Sequence, residues 1–250
     1  MPSSHSEYTQ KRRSHWDEIA RNRPADTLSR PGATTIFSRE YHRRLREIYR
    51  HLVSPGLAVL EIGCGRGDLL AAVAPARGIG VDFSREMLKL ARQKHPELTF
   101  LEMDAHALSL DETFDVIILS DLVNDVYDVQ TILEQLLHLC RPATRVILNT
   151  YSRVHQPILS LAGKLGLATQ LLPQNWLAPE DTENLLRLAG FEVIRHQREI
   201  LLPLPIPLVR ELFNKVLVKV WPFSPFAWTN IHIARPTQCP EAAAKSPQGE

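Results

Sequence analysis

Apolar residues recur along the chain in two rhythms, and the alternation of the two predicts its architecture. From Thr35 to Leu52 they stand three or four apart, at Ile36, Phe37, Tyr41, Leu45, Ile48, Tyr49 and Leu52, which predicts an amphipathic helix. The opposite face carries Arg39, Arg43, Arg44, Arg46 and Arg50, a basic face of the kind that is ordinarily solvated. Ser54-Pro55-Gly56 ends it. From position 57 short apolar runs alternate with helical patterns. Strands are predicted at Ala58 to Ile62, Gly78 to Asp82, Leu98 to Met103, Phe114 to Leu119 and Arg145 to Asn149. Between them lie helices starting at Gly67, running from Ser84 to His95, and running from about Val126 to Cys140. The continuous apolar run near Phe114 is what a strand buried on both faces requires. Strands alternating with helices imply right-handed crossovers and a parallel sheet, so the expected class is a doubly wound α/β fold. Ligands of such folds sit outside the carboxyl ends of the strands.

The C-terminal third is less regular. Pro157 to Ala168 reads as a helix, Pro173 to Trp176 as a loop, Pro179 to Ala189 as a helix closed by Gly190, and Phe191 to Arg195 as a strand. Residues 200–207 hold three prolines and fit neither a helix nor a central strand. Thr229 to Ala234 reads as the last strand. Between these, Leu208 to Trp221 is cleanly amphipathic. One reading packs its apolar stripe over the sheet or a pocket as a lid. The other makes it an interfacial helix, with Pro222 to Trp228 beside it, that collects a lipid-like molecule at a membrane. The polar ends, 1–14 and 237–250, are expected to be disordered. The intervening 15–236 form one domain, with a helical cap at 15–56, a core at 57–150 and a substrate-side region at 151–236.

Composition adds little beyond exclusions. The 250 residues are 44% apolar and 23% charged, as in an ordinary globular protein, and suffice for one domain with additions. A net charge of +1 supplies no field that would draw the chain onto nucleic acid. Cys64, Cys140 and Cys239 are scattered, so neither a disulfide framework nor a metal site is expected. The start lacks the apolar core of a signal peptide, and no window suits a spanning helix. The expected location is cytoplasmic, at the membrane periphery if the interfacial reading of 208–221 holds.

The chemistry concentrates at Glu61-Ile-Gly-Cys-Gly-Arg-Gly-Asp68, where a strand ends on an acid and three glycines precede a helix. A dinucleotide-type G-x-G-x-x-G from Gly63 needs a sixth-position glycine, and the chain has Asp68 there. The E-x-G-x-G-x-G arrangement instead resembles the first motif of class I S-adenosylmethionine-dependent methyltransferases. With acids at Asp82 and Asp104 closing the next two strands, the resemblance covers residues 57–150. It implies a Rossmann-like, seven-stranded, mostly parallel sheet with an N-terminal helical cap and a C-terminal lid insertion. Glu61, Gly63, Gly65, Gly67, Asp82 and Asp104 match the family's cofactor positions, and Cys64, Phe83, Met87, Ala105 and Ser120 complete the candidate set. The backbone of Gly63 and Gly65 can pass close to the methionine part of S-adenosylmethionine, Asp82 can accept both ribose hydroxyls, and Asp104 can receive the adenine amino group. Glu61 is expected to hold the loop or the ligand's ammonium group.

The stretches Ser120 to Asp128, Leu172 to Leu177 and Ala227 to Pro236 further resemble one bacterial group of these enzymes, found alone or joined to family 2 glycosyltransferases. That resemblance implies methyl transfer to a sugar, a lipid-linked intermediate or another small molecule, O-methylation first among the options, with a glycosyltransferase as a conceivable partner. No Asn-Pro-Pro-Tyr follows the fourth strand, which disfavours amino methylation of bases or glutamine. Asp121 and His155 are the candidate catalytic groups, from a set that includes Asp125 and Tyr127, although a lone histidine is more often structural. Tyr41, Asn124, Asn175 and Trp176 are candidate substrate-pocket residues. Two alternatives stand beside this: a nicotinamide-dependent oxidoreductase, disfavoured by Asp68, and a catalytically silent cofactor-binding partner of a glycosyltransferase.

Overall fold

The computed structural model describes residues 5–22, 33–157, 161, 172 and 174–237. Seven strands form one sheet: β1 (Ala58–Ile62), β2 (Arg77–Asp82), β3 (Thr99–Glu102), β4 (Phe114–Ser120), β5 (Cys140–Tyr151), β6 (Phe191–Glu199) and β7 (Thr229–Pro236). Their order is β3-β2-β1-β4-β5-β7-β6. The first five pair in parallel, and β7 runs antiparallel to both β5 and β6. The direction of winding reverses between β1 and β4, which opens a crevice at the carboxyl ends of those strands.

Successive side chains of a strand point to opposite faces, and the two cores follow that period. Val59, Val116, Ile118 and Ile147 face helices α2 (Ala33–Leu52), α3 (Asp68–Ala72) and α4 (Arg85–Lys94). Leu60, Ile62, Ile117, Leu119, Val146 and Leu148 face α5 (Val129–Gln135) and α6 (Pro179–Leu188). The helix starts are set locally. Ser84 Oγ accepts the Met87 N–H at 3.2 Å to cap α4, and Asp128 Oδ1 accepts the Thr131 N–H at 3.1 Å to cap α5.

Several expected boundaries are corrected. The helix expected from Val126 to Cys140 is shorter, because Asp128 caps it late and a 3₁₀ turn at Leu136–Leu139 leads directly into a longer β5. The largest correction is at the start of the chain. Residues 5–14, expected to be disordered, belong to helix α1 (His5–Asn22), in which Arg12 is buried. Its stability is tertiary: Trp16 Nε1 and Arg12 both donate to Asp125, and the Tyr8 hydroxyl donates to the Val126 carbonyl. Polar anchoring of this kind leaves no hydrophobic rhythm to detect. The 208–221 helix is broken as well, into α7 (Pro207–Glu211), a π turn (Leu212–Val216) and a 3₁₀ turn (Leu217–Lys219). The expected helix at 157–168 and the tails 1–4 and 238–250 lie outside the described residues, apart from positions 157 and 161. Among the described residues no helix is long and apolar enough to cross a membrane.

Candidate active site at the carboxyl edge of the sheet

The glycine turn after β1 is shaped by three left-handed residues, Gly63, Gly65 and Gly67, with φ of +74°, +51° and +72°. A Cβ on Gly63 would lie 2.8 Å from Leu122 Cδ1, and one on Gly67 would lie 2.5 Å from Phe100 Cζ. A Cβ on Gly65 would meet nothing within 4 Å, so the middle glycine borders open space. Glu61 is buried beneath this turn, and its carboxylate accepts the Leu70 N–H at 2.9 Å, satisfying a donor in the first turn of α3. Burial raises its pKa well above the ordinary carboxylate value. Of its two expected roles, the loop-holding one is the one its bonds show.

Asp82 ties two strand ends together. Its Oδ2 accepts the Gly65 N–H at 2.9 Å and its Oδ1 accepts the Ser84 N–H at 2.8 Å. Burial pushes its pKa up, and these backbone donors oppose the shift. The Phe83 N–H is a further backbone donor to this carboxylate. After β3, Asp104 accepts the His106 N–H and Nδ1–H, both at 2.9 Å, and the His106 side chain is the main cause of its lowered pKa. The other ring nitrogen accepts the Asp128 N–H at 3.1 Å, which sets the tautomer. His106 was not singled out from sequence, and its nearness to Asp104 was the available signal. Cys64, Met87 and Ala105 are buried beside these groups, while Phe83 is half-buried.

At the end of β4 stands another perturbed acid. Asp121 has φ +55°, unusual for a residue with a side chain, and is only partly exposed. Its Oδ1 accepts the Tyr41 hydroxyl at 2.9 Å and the Asn149 amide, and the Tyr151 hydroxyl also hydrogen-bonds to it. Burial nonetheless pushes the carboxyl up to about 7. The Tyr49 hydroxyl donates to Asn149 Oδ1 at 2.8 Å, which turns the amide nitrogen toward Asp121. Burial raises the hydroxyl pKa values of Tyr41, Tyr49 and Tyr151, so all three remain donors. Asn149 and Tyr49 escaped the sequence reading, since the register pairing of Ser120 with Asn149 exists only in the sheet.

The other candidates are placed differently. Tyr41 joins the Asp121 cluster. Asn124 and Asn175 instead clasp two loops: Asn124 Nδ2 donates to the Asn175 carbonyl at 2.7 Å, Asn124 Oδ1 accepts the Tyr151 N–H at 3.0 Å, and Asn175 Nδ2 donates to the Val126 carbonyl at 2.7 Å. Their polar atoms are engaged in scaffold bonds. Trp176 follows, half-buried. His155 is buried, stacks on Trp228 with ring centroids 3.7 Å apart, and donates from Nε2 to the Phe226 carbonyl at 3.1 Å. Those contacts fit a packing residue rather than the expected base. Helix α1 crosses the front of all this. Asp17 accepts the Ser84 hydroxyl beyond β2, His5 Nε2 lies 3.7 Å from Asp104 Oδ2 beyond β3, and Arg12 and Trp16 hold Asp125 beyond β4.

The family model described as a methyltransferase domain matches residues 53–188. The chain is 30% identical over 173 residues to a demethylmenaquinone methyltransferase of Lactococcus lactis, covering 57% of this chain and 69% of that protein. It is 31% identical over 130 residues to a phosphatidylethanolamine N-methyltransferase of Cereibacter sphaeroides, covering 48% of this chain and 64% of the relative. Among solved structures it is similar to the magnesium protoporphyrin IX methyltransferase of Synechocystis PCC 6803 with bound SAH. The TM-score is 0.67 at 18% identity, over 91% of this chain and 99% of that one.

Proposed function

The chain belongs to the methyltransferase-domain family, and from that premise we propose that it methylates a hydroxyl of a small lipid- or sugar-type molecule, with Asp121 as general base. It is an S-adenosylmethionine-dependent methyltransferase of class I fold, which sets aside the nicotinamide-dependent oxidoreductase. When bound, S-adenosylmethionine supplies a methyl group made electrophilic by its sulfonium. The residues present fit it: Gly65 leaves open space at the turn, and its N–H is held by the Asp82 carboxylate at the end of the next strand. Gly63, Gly65 and Gly67 would shape the methionine end, Asp82 would hold the ribose hydroxyls, and Asp104 and Ala105 would border the adenine.

The observation that supports hydroxyl chemistry is the Asp121 cluster. A hydroxyl must give up its proton as it attacks carbon, and a carboxylate with a pKa near neutrality accepts that proton far better than an ordinary one. Tyr41 and Asn149 fix the orientation of the carboxylate through Oδ1, and the buried apolar residues around β4 keep water away. His155 serves this site by packing against Trp228. A glycosyltransferase partner stays within the proposal, to be sought by co-purification.

The test uses methyl-labelled S-adenosylmethionine with the protein and a cell extract. Label should enter a product that releases volatile methyl iodide on treatment with hydriodic acid, as O-methyl groups do. Asp82→Ala should abolish transfer and weaken cofactor binding in calorimetry. Label that resists hydriodic acid would place the methyl on carbon or nitrogen and end the hydroxyl reading. Unchanged cofactor affinity in Asp82→Ala would show that the ribose site is misplaced.

A further inference from the structure

The segment 206–226 presents its apolar side outward. Its inner side is fixed by Asn214 and Val218, both buried. Asn214 Oδ1 accepts the Leu201 and Leu202 N–H groups at 2.7 and 2.8 Å, and its Nδ2 donates to the Leu202 carbonyl at 2.8 Å. Three hydrogen bonds from one buried amide set the rotation of the whole segment. With Asn214 inward, the apolar stripe cannot pack on the protein as a lid. Leu208 and Trp221 are 86% and 82% exposed, and Leu212, Val216, Phe223 and Phe226 are also exposed. Scattered exposed leucines need no explanation, but a run of aliphatic and aromatic side chains along one segment does.

We propose that this face docks on the surface of an anionic lipid bilayer, and that the acceptor reaches Asp121 from that surface. Charge selects this occupant. Between 206 and 226 the chain has Arg210, Lys215 and Lys219 against Glu211, a local surplus of two positive charges in a chain whose total is +1. Exposed lysines beside bulky apolar and aromatic side chains are the composition of a segment lying in a headgroup layer. The cores of protein–protein interfaces are instead depleted in lysine.

The face is also joined to the site. Arg210 Nη1 lies 3.7 Å from Glu40 Oε2, and Arg44 Nη2 donates to the Asn214 carbonyl at 3.4 Å, both on helix α2. The neighbouring residue of that helix, Tyr41, is the one that donates to Asp121. On the other side, the Phe226 carbonyl is held by His155, and the Ser152 N–H donates to the Trp228 carbonyl at 2.8 Å, next to Tyr151. Helix α2 therefore contacts both this segment and the candidate base. The link to catalysis rests on the methyl-transfer reading, whereas the docking itself does not.

The test floats the full chain with vesicles of phosphatidylcholine containing phosphatidylglycerol, and with phosphatidylcholine alone. The protein should rise with the anionic vesicles, and Leu208→Glu combined with Trp221→Glu should cut the bound fraction by about tenfold or more. Both side chains are exposed, so melting temperature and calorimetric S-adenosylmethionine binding should be unchanged in the variant. Failure of the wild type to bind anionic vesicles while it binds S-adenosylmethionine would overturn the docking and leave methyl transfer standing. Docking is equally overturned if the double variant binds as well as the wild type, or if its effect is to split a dimer seen in sedimentation. Vesicle binding without S-adenosylmethionine binding would instead count against the methyl-transfer reading.

Discussion

Replacing Asp121 with Asn isolates the ionisation of that group. The amide keeps an oxygen for Tyr41 and Asn149, and asparagine tolerates a φ of +55° better than most residues. Burial raises the native carboxyl from 3.8 to about 7, so between those values the folded chain keeps a proton that the unfolded chain has released. The folded state therefore binds more protons there, and stability must fall as pH rises. The contribution is complete below about pH 4 and is lost as pH passes about 7. Linkage over pH 5 to 8.5 gives a loss of about 2.5 kcal/mol, reduced to about 2 kcal/mol for partial exposure of the side chain. For a chain of this length that is on the order of 4–8 °C in melting temperature. Thermal melts of both proteins across this range need no acceptor. The stability of Asp121→Asn relative to the wild type should rise by about that amount between pH 5 and pH 8.5. Methyl transfer should show the converse: the wild-type rate rises through about pH 7, and the variant at pH 8 is slower by about 10²–10⁴. Parallel melting profiles would mean that the carboxyl ionises at its ordinary pH. A variant rate within about threefold of wild type would remove Asp121 as the base.

Other outcomes follow from the same geometry. Gly65→Ala places a methyl group in open space at φ +51°, so it should cost little more than the roughly 1–2 kcal/mol of backbone strain, while S-adenosylmethionine affinity falls by about tenfold or more. Gly67→Ala drives its methyl group into Phe100 and should lower the melting temperature first; calorimetry and thermal melts separate the two. His155→Phe keeps the stack on Trp228 but loses the bond to the Phe226 carbonyl. Stability should drop by about 1–2 kcal/mol with the pH profile of transfer unchanged, and a hundredfold loss of rate would restore His155 as a base.

The glycine turn and the acids at the strand ends were legible in the chain because their parts are local. A glycine needed for a left-handed turn, or an acid closing a strand, marks its own position, and Gly63, Gly65, Gly67, Asp82 and Asp104 lie where the strand pattern placed them. Asn124 and Asn175 show the limit. Polar residues in loops beside a pocket read as ligands, and only the hydrogen-bond geometry reveals that they bind each other's loops. His155 shows the same limit, since a histidine past a strand end carries no sign of what it stacks on.

What the sequence determined by itself was the alternation of strands and helices, the glycine turn and the acids at the strand ends, all functions of near neighbours. Tertiary structure decided the rest. It brought Tyr41, Tyr49, Asn149 and Tyr151 around Asp121 from one helix and the neighbouring strand, and it ordered α1 through polar contacts to loops a hundred residues away. It also turned the 206–226 segment by one buried amide, so that of the two sides an amphipathic pattern offers, the apolar one faces out. Periodicity reports that a helix has two sides; which side meets the protein depends on hydrogen bonds from residues the period does not contain.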